Sequence, residues 1–126
     1  MPFTPSNALV WCEIPVSDLE KAVAFYSKVF GYEMTIDENG PNPMAFLPVA
    51  DPQNGTAGHL YPGKPPAPGT GPTLHLAVPD TVEAARDRLI EAGGASEGPI
   101  IPMDFGRWCY ATDPDGNSLG LFQFAG

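Results

Sequence analysis

Residues 14–33, IPVSDLEKAVAFYSKVFGYE, decide the fold, because 62 positions later residues 76–95 read LAVPDTVEAARDRLIEAGGA and repeat their plan. At that spacing Val16 meets Val78, Asp18 meets Asp80, Ala22 meets Ala84 and Gly31 meets Gly93. Further on, Asp51-Pro52 meets Asp113-Pro114, and Gly58 meets Gly120. A period of this length marks a duplicated supersecondary unit. Ser17-Asp18-Leu19-Glu20 reads as a capping box, and Leu19, Ala22, Val23, Tyr26, Val29 and Phe30 follow at helical spacing until Gly31 supplies a left-handed stop. The second helix is expected from Asp80, with Glu83 three residues on, Val82, Ala85, Leu89 and Ala92 facing inward, and Gly93-Gly94 closing it.

Working outward, each helix follows an apolar strand candidate, Leu9 to Pro15 and Thr73 to Val78. Three shorter candidates come after each: about 33–37, 44–49 and 56–61 in the first half, then 95–101, 107–112 and 118–124 in the second. The turn Asp113-Pro114-Asp115-Gly116-Asn117 carries a hairpin signal, with Asp51-Pro52-Gln53-Asn54-Gly55 as its counterpart. Residues 62–72, PGKPPAPGTGP, are too rich in Pro and Gly for helix or central strand and read as an extended linker. The expectation is an α+β chain of one domain, residues 1–126, built from two βαβββ modules, about 9–61 and 73–124, forming a curved, half-open mixed sheet around a cavity. Neither module is large enough to hide its own sheet face, so the two should pack edge to edge within one chain or exchange with a second copy as a homodimer.

Composition narrows the partners. Six Lys plus Arg against fifteen Asp plus Glu give a net charge of −9, which opposes nucleic-acid backbones and anionic lipid. The same acidity serves solubility or attracts a cationic ligand. Cys12 and Cys109 lie in apolar stretches without metal-binding spacing, so buried reduced thiols are expected. Residues 1–6 do not read as a leader and no run of apolar residues is long enough to span a membrane, so the expected compartment is the cytoplasm.

The run IPVSDLEKAVAFYSKVFGYE in the first module and ATDPDGNSLGLFQF closing the second resemble the vicinal oxygen chelate superfamily, which includes glyoxalase I, bleomycin and fosfomycin resistance proteins and extradiol dioxygenases. The resemblance covers about Leu9 to Phe124. It implies a central cavity that binds a small molecule. In metal-dependent members a divalent ion is held there by His, Glu or Gln from the first and last strands of each module. Counted from the Asp before each helix and from the Asp-Pro turns, those positions fall on Trp11, Gly58, Thr73 and Gly120. Apart from the weak hydroxyl of Thr73, none offers a donor suited to such an ion, so no metal cofactor is expected and empty volume is expected at the two glycines.

Strand alternation supplies a second candidate. Glu13 should face the cavity with Trp11, and His75 with Thr73, so Glu13 and His75 would face each other as symmetry partners. Such a pair is either a general acid and base acting on a small substrate or a hydrogen-bonded pair that fixes strand register. His59 should face the helix layer or solvent, although a one-residue change of register would turn it into the cavity. Trp11, Leu60, Phe122 and Phe124 share the inward parity, as core filling or as pocket lining. Arg107 could meet a substrate carboxylate or form a surface ion pair, and Tyr110 and Trp108 stand beside it. The candidate site is thus Glu13 and His75 with Trp11, Leu60, Thr73, Arg107, Tyr110 and Phe122. Two functions stay open: a glyoxalase-like lyase or isomerase, and a metal-free protein that sequesters a cationic ligand as bleomycin resistance proteins do.

Overall fold

The structure is a computed structural model and describes residues 2–125. The first module comprises β1 (Trp11–Val16), α1 (Leu19–Phe30), β2 (Ile36–Asp37), β3 (Met44–Phe46) and β4 (Ala57–Pro62). The second repeats the order as β5 (Leu74–Ala77), α2 (Val82–Glu91), β6 (Ile101–Met103), β7 (Gly106–Thr112) and β8 (Ser118–Phe124). Each module forms a four-stranded mixed sheet, ordered β1-β4-β3-β2 and β5-β8-β7-β6. In both sheets the first and last strands run parallel and the remaining pairs antiparallel. This is the α+β, twice-βαβββ architecture that the repeat implies. Among the described residues no strand pair joins the two sheets, so the modules are held together by other means.

The helices form where the sequence places them, with different caps. Asp18 caps α1 by accepting from the Lys21 backbone N–H at 3.1 Å, while the Ser17 hydroxyl turns away to Asp115 in the other module. Thr81, not Asp80, caps α2 through the Ala84 N–H at 3.1 Å, because Asp80 is engaged by Arg88 at 2.8 and 3.0 Å. Tyr26, Val29 and Phe30 of α1 pack with Ile14, Val16 and Leu60 of the first sheet, and Val82, Ala85 and Leu89 of α2 with Cys109, Leu119 and Leu121 of the second, in one continuous core.

Register is decided by this core. Cys12, Ile14 and Val16 of β1 turn toward α1, so their partners Gly58, Leu60 and Pro62 of β4 lie on the helix side. Leu60 is fully buried there. Sliding β4 by one residue would exchange Leu60 for His59 in the core, forfeiting about 1.5–3 kcal/mol of apolar burial and adding an unpaired polar ring. The consequence is an irregularity in the repeat. Glu13 pairs with His59 while its equivalent His75 pairs with Gly120, so the last strands align at a spacing of 61, not the 62 that aligns the helices.

The modules join through a buried polar knot. The Tyr26 hydroxyl donates to Asp113 Oδ2 at 2.8 Å. Asn117 Nδ2 donates to the same oxygen at 2.9 Å and to the Pro15 carbonyl of β1 at 2.8 Å. Asp113 Oδ1 accepts the backbone N–H groups of Asp115 and Asn117, each at 2.9 Å. Asp113 is 3% exposed and its carboxylate has four donors, which is what a buried charge requires. Ser17 bonds Asp115 through both its hydroxyl and its amide, and Lys28 bridges α1 to Glu91 of α2 at 3.0 Å. The Pro/Gly linker packs onto this same turn, where the Gly69 N–H meets the Gly116 carbonyl at 2.9 Å.

Candidate functional site

The side of each sheet away from the helices carries aromatic rings around an imidazole. On the first sheet the face is built by parity from Trp11 and Glu13 of β1, Phe46 of β3, and His59 and Tyr61 of β4. The centre of His59 lies 5.8 Å from Trp11, 6.1 Å from Phe46 and 6.0 Å from Tyr61. Trp11 Nε1 donates to His59 Nδ1 at 2.9 Å, and His59 Nε2 stands 3.3 Å from Glu13 Oε1. The rings are accessible: Trp11 is 45% and Phe46 42% exposed, although His59 beneath them is buried.

The second sheet presents His75 of β5, Trp108 and Tyr110 of β7, and Phe122 and Phe124 of β8, extended by Phe105 from the preceding turn. His75 packs edge-on against Trp108 at 5.5 Å, Tyr110 at 5.9 Å and Phe122 at 6.4 Å. Trp108 and Phe122 stack nearly parallel at 6.1 Å, and Phe105 stacks on Phe122 at 5.9 Å. Desolvation among these rings lowers the His75 pKa and favours the neutral imidazole. A cavity of about 400 Å³ runs from His75, Phe105, Phe122 and Phe124 to Tyr32, Leu47, Pro48, Thr56 and Ala57 of the first module. That volume suits a small organic molecule.

The structure redistributes the residues expected from the sequence. Glu13 has His59 as its imidazole partner and not His75, which belongs to the other aromatic face. His59 therefore looks out from the open face, opposite to its expected direction, because the last strand is shifted by one residue. Leu60, expected in the pocket, is in the helix-side core for the same reason. Gly58 pairs with Cys12 on the core side, and a Cβ there would collide with the Cys12 carbonyl and sulfur. Nor is there empty space at Gly120, since the His75 ring lies over it and a Cβ would strike that ring. Thr73 precedes β5 and shares a 2.6 Å hydrogen bond with Ser118. Arg107 grips Glu83 through two bonds of 2.8 and 2.7 Å and also reaches Gln123, which fills its fork. That grip holds the Glu83 carboxyl at a pKa of about 2. Trp11 and Phe122 stand on the open faces as alternation places them, and Tyr110 stands with Phe122 on the second face. Phe46 and Phe105 were missed; Phe46 is signalled only by its pairing with His59, which needs the true register.

The donors at the four ligand positions can now be weighed against a divalent ion. In the observed register the last-strand position of the first module is His59, equivalent to Gly120, so the four are Trp11, His59, Thr73 and Gly120. His59 is the one strong donor among them, and Trp11 already occupies its Nδ1. Among the described residues no three His, Cys, Asp or Glu side chains come together as such an ion requires. These residues do not fit the group.

Comparison with known proteins agrees with this architecture. The family model described as "Glyoxalase/Bleomycin resistance protein/Dioxygenase superfamily" matches residues 8–121. A Mycobacterium bovis protein named "Putative glyoxylase CFP32" is 29% identical over 117 residues, covering 90% of this chain and 44% of its own length. The chain thus spans less than half the length of that curated relative. A glyoxalase/bleomycin resistance protein from Streptomyces sp. CB03234 is 33% identical with a TM-score of 0.64, over 92% of this chain and 100% of its own. TnmS3 from the same organism, an antibiotic binding protein, is 30% identical with a TM-score of 0.63, over 94% and 97% of the two chains. A glyoxalase/bleomycin resistance protein from Albidiferax ferrireducens T118 shares the fold, with a TM-score of 0.70 at 22% identity over 93% and 98%.

Proposed function

The chain belongs to the Glyoxalase/Bleomycin resistance protein/Dioxygenase superfamily, and we propose that it binds a small organic molecule against its two aromatic faces, using no divalent metal ion. The observation that carries this reading is the cluster of exposed rings around His75 beside a cavity of about 400 Å³, together with the second ring cluster around His59 on the first sheet. Flat rings of Trp, Tyr and Phe stack on aromatic or unsaturated ligands with little loss of side-chain entropy. The antibiotic-binding relative TnmS3 fits a binding role better than a catalytic one. The case against a metal ion rests on the donor set: Trp11, Thr73 and Gly120 stand at three of the four ligand positions.

A cationic group on the ligand is favoured by one further feature. The Glu13 side chain is 65% exposed, and Trp11 beside it offers its ring face. Carboxylate and ring face together suit an ammonium or amidinium group, and the net charge of −9 would draw it in. Arg107, being paired with Glu83, does not compete for an anionic ligand. On the second face Phe105 and Phe124 are 59% and 69% exposed, and a second copy of the chain seated there would close the site.

A thermal-shift panel tests the reading directly, because a ligand stabilises the folded state by RT ln(1 + [L]/Kd) whatever its chemistry. Cationic aromatic natural products are set against small 2-oxo acids and thiol adducts. The expected result is a rise in Tm of a few degrees with one or more aromatic cations and none with the acids. Stabilisation by the acids alone would replace sequestration of a cation with a glyoxalase-like role.

A further inference from the structure

Trp11, His59 and Glu13 form a chain of contacts whose proton positions follow from chemistry alone. An indole N–H donates and cannot accept. Since Trp11 Nε1 is 2.9 Å from His59 Nδ1, that nitrogen presents a lone pair and carries no proton. The remaining ring proton of the neutral imidazole is then on Nε2, which faces Glu13 Oε1 at 3.3 Å. Local geometry supports the bond: Trp11 is two residues from Glu13 on the same strand face, and its cross-strand partner Ala57 is too short to keep the indole from leaning over His59. Phe46 of β3 and Tyr61 of β4 also pack around His59, and among the described residues Glu13 is the charged side chain paired with it.

We propose that Trp11 is a cap on His59: its indole N–H fixes the imidazole in the Nε2–H form and occupies the lone pair through which His59 would bind a metal ion. Trp11 stands at a position where metal-dependent relatives place a ligand, so one residue both removes a ligand and blocks the next. A bound molecule meets the Glu13 carboxylate beside an uncharged N–H donor. In the capped form no imidazolium opposes a cation there. This consequence rests on the ligand-binding reading above; the cap does not. His59 is a positioning residue, while Glu13 and the exposed ring of Trp11 meet the ligand.

Nitrogen NMR on the full chain at pH 8 tests the cap without any organic ligand. Expected in the wild type are a pyridine-type Nδ1 and a pyrrole-type Nε2 on His59, with scalar coupling across the N–H···N bond to Trp11 Nε1. Glu13→Gln should leave both unchanged, because Trp11 and not Glu13 sets the tautomer. Trp11→Phe should abolish the coupling. Titration with Ni²⁺ alone should then broaden the His59 resonances at about fivefold lower concentration than in the wild type, the factor expected from freeing one net hydrogen bond. His75, in the other ring cluster, is the internal control. A proton on Nδ1, absence of the coupling, or equal Ni²⁺ sensitivity in the two proteins would overturn the proposal. The wild-type spectra decide the tautomer even if Trp11→Phe does not fold. Failure of every compound in the thermal-shift panel would refute ligand binding and leave these signals unchanged.

Discussion

Replacing Tyr26 by Phe removes one hydroxyl from the knot that joins the modules, and the structure gives its cost. The lost bond is a 2.8 Å donation to the carboxylate of Asp113, buried to 3% exposure. Hydrogen bonds to charged groups contribute about 1.5–3 kcal/mol. Asp113 keeps its bonds from Asp115 N, Asn117 N and Asn117 Nδ2, so the charge is not stranded and the lower end applies, about 1.5–2 kcal/mol. Asp113→Ala is the harsher change, because it leaves four donors without their acceptor, two of them on Asn117, and should cost about 3–5 kcal/mol. Urea denaturation followed by circular dichroism measures both, with ΔG taken from the midpoint and slope. Alkali supplies a second readout. Burial and then the nearby Asp113 charge raise the Tyr26 pKa well above that of a free phenol, so the folded state keeps the proton that the unfolded chain releases. Stability from this group is therefore complete below about pH 10 and declines as pH rises further. Tyr32, held at about 12 by desolvation, adds to the same decline. Tyr26→Phe should reduce the alkaline loss. A Tyr26→Phe protein within about 0.5 kcal/mol of wild type, with an unchanged alkaline profile, would refute the reasoning.

Other sites give shorter tests. The Glu83 carboxyl is lowered to about 2 by Arg107, so the stability it contributes is present above its ordinary value of 4.5 and lost as pH falls from there through about 2; Glu83→Gln should destabilise at pH 7, with the difference from wild type fading as pH drops through that range. Leu60→Ala removes a fully buried side chain and should cost about 2–5 kcal/mol in denaturant unfolding. Gly120→Ala drives a methyl into the His75 ring and should displace that imidazole, seen as changed His75 NMR shifts and altered Trp108 emission.

The repeat, both helices and the eight strands were legible because they rest on local signals: apolar periodicity, Gly31 as a helix stop, and the Asp-Pro turns. The site was half legible. Trp11, Glu13 and His75 share open-face parity because the first strands keep the repeat spacing, and Phe122 joins them because parity counted from the Asp113-Pro114 turn holds along β8. His59 and Leu60 were exchanged because the connections between the first and last strands differ in length between the modules and leave the last strands at a spacing of 61, and alternation inverts every side chain after a one-residue shift. Propensity does not reveal it, since only the burial of Leu60 against α1 selects the register. The Asp113 knot was equally hidden, because it depends on contacts between residues 87 and 102 positions apart.

The two tryptophans stand one on each open face, Trp11 beside His59 and Trp108 beside His75. Fluorescence of Trp108→Phe, in which Trp11 is the remaining indole, can therefore be titrated with the aromatic cation that most raises the melting temperature. Ligand binding at the open faces predicts a saturable change in Trp11 emission that is weakened when Glu13→Gln is added. Stabilisation by the cation with no change in Trp11 emission in this variant, nor in Trp108 emission in Trp11→Phe, would contradict it.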